Sequence, residues 1–423
     1  MRILLLTQYY APEPAFKFAD LARGLVARGH EVQVLTGFPC YPHGKTYPGY
    51  RQRLHHSEVM DGVLVTRVPQ WPDHSSSVLR RVLYYATFAL SAATIGWRKA
   101  RRADVILAYQ SALPVGLTAR WLSFATRTPY VLDVADLWPE SLAATGMIAN
   151  RTALSVVARV MKFIYRGARR INVITTGYRD NLLQRGVPAK KLSVIETWPA
   201  AGLFDPLPVD AQLAASHGMT RPVEILYAGA MGPSQGLEVV LDAAANLADR
   251  PEIRFTLVGD GLRRASLEAA ARSRGLANVQ FVGRLDPSEL RRLYPSASAL
   301  LVHLTPNDMS RASIPSKTFA YMCSGRPLLM GCEGVATELV RRHACGLCFT
   351  PGDAESLAAA VTELADMAQA EQDRLAENAR SAYLQFYQSS RQIDRYVAFL
   401  SEAIGAPVPA ATPTPTPRRQ AAA

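Results

Sequence analysis

The run Ile314-Pro315-Ser316-Lys317-Thr318-Phe319-Ala320-Tyr321 places a lysine in the first turn of a helix entered through Pro315-Ser316. Free N–H groups and the helix dipole already make such an end positive, so a lysine there is unfavourable unless an anion offsets both. The chemistry this predicts is phosphate binding, with Lys317 supplying the full charge beside Ser316. Arg311, just upstream, reads either as a further phosphate contact or as a surface arginine. Asp308 reads either as a partner for a sugar hydroxyl or as a solvated carboxylate. A second anion site is expected at Gly229-Ala230-Met231-Gly232-Pro233-Ser234-Gln235-Gly236, whose glycines let a ligand approach the main chain. That loop lacks the G-x-x-x-x-G-K-[ST] spacing of a phosphate-binding ATPase loop. No G-x-G-x-x-G follows the first apolar run, which weakens a nicotinamide dehydrogenase reading.

Other reactive side chains are less organised. Asp136, in Asp133-Val134-Ala135-Asp136-Leu137-Trp138-Pro139-Glu140, is the preferred polar residue of the first half. Asp-Leu-Trp-Pro reads equally as a helix cap with a buried Trp138. Cys345 and Cys348 have C-x-x-C spacing, but no second pair or histidine cluster accompanies them, so a strand-end coincidence is the simpler reading. His55, His56 and His74 fall in polar stretches and read as solvated.

The elements that must position these residues repeat a strand–loop–helix–strand pattern. Ile3–Leu6 is an apolar run, Phe16–Arg28 carries Phe18, Leu21, Ala22 and Leu25 on one helical face, and Glu31–Thr36 returns as a strand, a βαβ unit. Strands are expected at Val63–Val68, Val105–Ala108, Tyr130–Val134 and Ile171–Thr175. The pattern restarts at Val223–Ala228, followed by helices Leu237–Leu247 and Leu262–Arg274. Further strands are expected at Phe255–Val258, Val279–Val282, Ala299–His303, Pro327–Met330 and Leu347–Phe349. The boundaries predicted are a first domain over 1–205, a linker over 206–222, a second domain over 223–382, a helix over 383–405 packing back on the first domain, and a disordered Pro/Ala/Thr-rich tail over 406–423. The fold class is α/β, two Rossmann-like doubly wound domains facing across a cleft where the strand ends meet.

The chain has 423 residues, 49% of them hydrophobic and 19% charged, which excludes a mostly disordered chain. The net charge is +12, and its distribution is uneven. Residues 1–200 carry 26 Lys+Arg against 12 Asp+Glu, whereas 201–423 carry 21 against 23. A basic half points to a polyanion, an anionic membrane surface or a nucleic acid, although solvated arginine faces are common. Aromatics do not interleave with the basic runs as a nucleic-acid stacking platform requires, so no nucleic-acid partner is expected. Val82–Trp97 is uncharged and framed by Arg80-Arg81 and Arg98-Lys99-Arg101-Arg102. Its sixteen residues reach about 24 Å as a helix, short of the roughly 30 Å hydrocarbon core, leaving a membrane-docking helix or a buried domain helix. Arg166, Arg169 and Arg170 form a second basic cluster after Phe163-Ile164-Tyr165. The opening residues lack a cleavable signal pattern and five cysteines are few, so a cytoplasmic protein at the membrane periphery is expected.

Several motifs together resemble the retaining GT-B glycosyltransferases of family 4, and most closely their WbuB-like, fucosamine-transferase-type subgroup. They are Gly229-Ala230-Met231-Gly232 with Gln235-Gly236-Leu237, Val258-Gly259-Asp260-Gly261, Asn278–Arg284, and Pro315-Ser316-Lys317 with Tyr321-Met322 and Gly325-Arg326-Pro327. Tyr9-Tyr10-Ala11-Pro12-Glu13 and Asp133–Ser141 are similar to that subgroup's first-half segments. The resemblance covers roughly residues 1–400. It implies a nucleoside-diphosphate-sugar donor, UDP-linked, in the second domain, contacted by Gly229, Met231, Gly232, Gln235, Gly259, Gly261, Arg284, Asp308, Ser316, Lys317 and Ala320. It implies a lipid-linked saccharide acceptor beside Pro12, Glu13, Asp136 and Trp138, with Lys317, Arg311 and Asp136 as the catalytic set. No metal and no cofactor are implied, and the leaving phosphate would itself help deprotonate the acceptor. The chain departs from the family pattern where Ala312 and Ala320 stand for two glutamates, Ala135 for a histidine, and Met231 and Gln235 for an arginine and a lysine. Two alternatives remain, a nucleotide-sugar 2-epimerase on the same architecture and a non-catalytic binding subunit.

Overall fold

The computed structural model describes residues 1–14, 16–73, 77–110, 112–144 and 150–407; His74 and residues 408–423 of the expected tail lie outside them. Two compact units form. The first comprises 1–174, 182–195 and the helix from Ser389, and the second 175–181 and 196–388.

The first unit is an eight-stranded sheet of β1 (Arg2–Leu6), β2 (Glu31–Gly37), β3 (His56–Met60), β4 (Val63–Val68), β5 (Val105–Gln110), β6 (Tyr130–Val134), β7 (Arg170–Val173) and β8 (Leu192–Val194). The order is β3-β4-β2-β1-β5-β6-β7-β8, and only the β3–β4 pairing is antiparallel. Central strands such as Ile3–Leu6 are buried without alternation, as expected when helices cover both faces. In register, Leu4 lies opposite Gln33 on one side and Ile106 on the other, so the strand order reverses between β1 and β5. The Val78–Ala100 helix packs along Leu113–Thr126, which in turn meets Arg151–Gly167, while Phe16–Ala27 packs on Ser389–Ile404.

The Ser389–Ile404 helix is held by packing and by buried charge. A Cβ on Gly24 would come 2.3 Å from Ile393 Cδ1, so the two helices touch through the glycine. Arg28 bonds Asp394 at 2.5 Å and the Ser390 carbonyl at 2.8 Å. Beneath them the wholly buried Asp133 carboxylate accepts from Lys17 Nζ (3.0 Å) and Asn172 Nδ2 (2.7 Å), and the same Asn172 nitrogen donates to Tyr396 Oη (3.2 Å).

The second unit is a wholly parallel sheet of β9 (Val223–Ala228), β10 (Ile253–Val258), β11 (Val279–Val282), β12 (Ala299–His303), β13 (Leu328–Gly331) and β14 (Gly346–Cys348), in the order β11-β10-β9-β12-β13-β14. Alternate residues feed two cores: Leu226, Val258, Leu300 and Val302 enter one, Ile225, Tyr227, Phe255 and Leu301 the other.

Several expected boundaries move. The stretch 206–222 is not a bare linker. Asp210 Oδ1 accepts from Leu213 N–H (2.9 Å) to cap the Ala211–Ser216 helix, and Ala214 and Met219 are buried in the core that Leu226 enters. Residues 383–388 stay with the second unit because Tyr383 and Tyr387 are buried there, so the returning helix starts at Ser389. His56 opens strand β3 and stacks on Phe38 at 6.4 Å, so it is no solvated loop residue. Breaking a buried ion pair strands its partner, so Asp133→Ala should destabilise the first unit by about 3–5 kcal/mol in denaturant unfolding. An Asp133→Leu/Lys17→Met double variant should recover most of that loss.

Candidate active site

Three strand ends of the second unit are bound together by main chain. Gly229 N–H donates to Val258 O (2.9 Å), Met231 N–H to Asp260 O (2.8 Å), and Gly259 N–H to Val282 O (3.1 Å), which joins the loops after β9, β10 and β11. Gly259 (φ +138°) has no room for a side chain, since a Cβ would lie 1.9 Å from Gly229 O. Gly261 (φ +156°) is similar, with Met231 O at 2.5 Å. These two glycines therefore serve loop-to-loop contact. Met231 is fully buried, and the Gln235 Oε1 accepts from Gly232 N–H (3.0 Å), so neither replaces a basic donor contact.

Lys317 opens the Lys317–Ser324 helix under this loop. Its stem is partly exposed, but Nζ is sealed from solvent and has no hydrogen-bond partner among the described residues. Nζ lies 3.7 Å from the Tyr227 ring centre, and Gly229 (φ +151°) leaves it space, since a Cβ there would come within 2.5 Å. Loss of hydration pushes the ammonium down to about 7. One turn on, the buried Tyr321 hydroxyl accepts from Ala228 N–H (2.9 Å) and donates to Ala228 O (3.1 Å), tying the helix to the end of β9. Ala320 is buried on the same helix, and Ser316 just before it is exposed and gives no side-chain cap.

The remaining donor-side residues are dispersed. Arg311 is exposed and already engaged by Glu333 (2.5 Å) and Asp308 (3.2 Å), so it is not a free phosphate ligand, and the Asp308 side chain is otherwise in solvent. Arg284 is exposed after β11. Ala312 contributes its carbonyl, which accepts from Thr175 Oγ1 at 2.6 Å.

His303, which sequence reasoning missed, supports the loop. Its Nε2 accepts from Gly352 N–H (2.9 Å), so Nδ1 carries the proton and donates to Gln235 O (2.6 Å). The ring stacks on Phe349 at 5.9 Å, and burial lowers its pKa and keeps it neutral. The available signal was its place at the carboxyl end of β12, beside β9 where the strand order reverses.

In the first unit, Asp136 follows β6 and is half-buried, with its carboxyl raised to about 6 by loss of hydration. Its charge is felt at Tyr85, which packs on Tyr84 (5.4 Å), itself near Tyr9 (6.5 Å), and Tyr9 meets Tyr41 (5.2 Å). A carboxylate beside clustered aromatic rings suits a sugar, with rings for its apolar face and a polar group to fix orientation. Trp138 is half-buried, and its carbonyl takes a bond from Arg185 (2.7 Å). Pro12 is exposed. Glu13 departs from its expected acceptor-side role. It is buried, and its carboxylate accepts from Cys40 and Tyr41 N–H (2.8 Å each) and Tyr10 N–H (3.2 Å), bracing two loops, while burial raises its pKa. Arg170 of the expected basic cluster is taken up by Glu402 and Ser193. Cys345 is buried, both C-x-x-C thiols are free, and no group of three metal-ligating side chains forms among the described residues.

Two family models match the chain in tandem, the glycosyl transferase 4-like domain over residues 15–198 and glycosyl transferases group 1 over 212–382. With the two parallel-sheet α/β units, these matches identify the chain as a glycosyltransferase of GT-B architecture. It is similar to a putative colanic acid biosynthesis glycosyl transferase, WcaI, of Escherichia coli K12, with 27% identity over 385 residues, 86% of this chain and 92% of that protein. It is also similar to a probable glycosyltransferase, WbjE, of Pseudomonas aeruginosa, with 26% identity over 64% of this chain and 68% of that one. Among solved structures, Anabaena HepE in complex with UDP and glucose shares the fold at a TM-score of 0.70 and 20% identity, covering 95% of this chain and all of that one.

The folded chain releases the Lys317 proton near pH 7, whereas the unfolded chain holds it to about 10.5. Unfolding therefore takes up a proton between those values, and this residue's contribution to stability rises with pH across the window. Lys317→Met should accordingly raise the melting temperature of the ligand-free protein, by more at pH 6 than at pH 9.

Proposed function

We propose that the chain is a retaining transferase of the WbuB-like kind. It moves a hexose or N-acetylamino sugar from a UDP-linked donor to a polyprenyl-diphosphate-linked saccharide during synthesis of a bacterial surface or exported polysaccharide. The observation that carries this reading is Lys317, a sealed cation with no anion of its own beside a glycine loop. A donor diphosphate supplies the missing charge. The UDP and glucose of HepE support the choice of donor, and the colanic acid role named for WcaI supports the product class.

In this reading the acceptor hydroxyl adds to the anomeric carbon from the face the diphosphate leaves. The bond from that carbon to the diphosphate oxygen breaks, and the hydroxyl proton passes to the leaving phosphate. Lys317 stabilises the negative charge that develops there, and Asp136 with the tyrosines of the first unit orients the acceptor. No protein nucleophile, metal or cofactor is assigned a step. Replacing a preorganised cation at a leaving group costs about 100-fold or more, so Lys317→Ala should lower donor turnover by that factor. Unchanged turnover would remove its role. UDP binding without transfer, across a panel of lipid-linked acceptors, would favour the non-catalytic alternative.

The first unit is the side proposed to meet an anionic membrane. Its helices Val78–Ala100, Leu113–Thr126 and Arg151–Gly167 contain no Asp or Glu and nine Lys or Arg residues. They expose Leu79, Leu90, Trp121, Phe124 and Phe163, with Phe124 at 86% and Leu90 at 69%. No described helix is long and apolar enough to cross a membrane, so association through this face would be peripheral. The protein should co-sediment with phosphatidylglycerol vesicles at low salt and lose binding on Leu90→Glu/Phe124→Glu with UDP binding intact. Absence of vesicle binding at low salt would exclude this face.

A further inference from the structure

A cavity of about 510 Å³ lies in the first unit between the Arg151–Gly167 helix and the turn from Arg185 to Lys191. None of the residues discussed above as donor contacts lines it. The helix contributes Ala158, Met161, Lys162, Tyr165 and Arg166, the i, i+3, i+4, i+7, i+8 stripe of one face. Met161, Tyr165 and, from the opposite wall, Val187 are buried and give the cavity an apolar floor.

Its rim is cationic. Glu140 is the cavity's carboxylate, and Arg185 already pairs with it. Lys191 Nζ donates to the carbonyls of Arg166 and Ala168, 2.8 Å each, which closes the helix C-terminus and fixes a third cation at the rim. Lys162 and Arg166 are exposed and have no carboxylate partner among the described residues. Three positive charges are thus left without an acid around an apolar floor. A free sugar has no use for that charge, an inorganic anion none for the floor, and a plain hydrocarbon none for the rim. The volume is that of a small-molecule site.

We infer that this cavity binds the phosphorylated head and first carbons of an amphiphile, a lipid phosphate or diphosphate. Lys162 and Arg166 hold the phosphate oxygens, Lys191, whose Nζ is bonded to the Tyr165, Arg166 and Ala168 carbonyls, adds only its charge at the rim, and Ala158, Met161 and Val187 take the carbons. The inference deepens the proposed lipid-linked acceptor and rests on that reading for its choice of ligand. On the polar side it adds residues that neither the motifs nor the family pattern assigned.

The test is calorimetric titration of the full chain with farnesyl diphosphate below its micellar concentration, beside inorganic pyrophosphate and farnesol. Farnesyl diphosphate should bind at least tenfold tighter than either fragment, and Lys162→Ala/Arg166→Ala should weaken it tenfold or more. Both side chains are exposed, and an unchanged response of the variant to UDP verifies that it is folded. A short-chain phosphatidylglycerol separates the two sources. Equal affinity supports a bilayer lipid in the cavity, and a preference for the prenyl diphosphate supports the acceptor. Pyrophosphate binding as tightly as farnesyl diphosphate, or a variant binding unchanged, would overturn the inference. Failure of the wild-type chain to bind UDP would instead overturn the donor reading and leave this site standing.

Discussion

An ammonium group removed from water loses far more hydration than a ring face can return, and the second unit is arranged around holding one in that condition. Tyr227 supplies the ring, Gly229 supplies the space, and Tyr321 pins the lysine's helix to the end of the strand that carries Tyr227 and leads into Gly229. The glycine contacts follow from the same requirement. Gly259 and Gly261 let the second loop close down on the first until their main chains bond, which holds the loop under which Lys317 sits. His303 braces the far end of that loop from β12. The loop is held by neutral groups, and Lys317 Nζ keeps no hydrogen-bond partner among the described residues.

The first unit handles buried charge in the opposite way. Asp133 is as deeply buried, but Lys17 and Asn172 satisfy it, and Tyr396 closes the network from the last helix. Glu13 is likewise consumed by three main-chain N–H groups. Asp136 has no such partners among the described residues and lies beside the tyrosine cluster. A buried carboxylate therefore marks architecture in two places, whereas the half-buried Asp136 is left without such bonds. Satisfaction by neighbours, not residue type, separates them.

This is also what limited the reading from sequence. Central strands such as Val223–Ala228 and Tyr130–Val134 were legible because helices on both faces demand uninterrupted apolar runs. Lys317 was legible because a cation at a helix start contradicts the local electrostatics. Strand β3, His-Ser-Glu-Val-Met, was not, since an edge strand with one wet face carries little apolar signal. The three-residue β8 was too short to register. The roles of Glu13, Gly259 and His303 depend on partners 27, 30 and 68 residues away, which no local pattern encodes. The choice between the two readings of Arg311 stayed open for the same reason, because Glu333 lies a helix and a strand further on.

The last helix belongs to the unit that the first residues begin. Gly24, Arg28, Asp133 and Asn172 all wait for groups between Ser390 and Tyr396. A chain emerging from the ribosome therefore cannot complete its first domain when that domain's own sheet is finished. The whole second domain must be synthesised before the closing segment arrives. Until then the face of Phe16–Ala27 that packs on Ser389–Ile404, Gly24 included, stands uncovered.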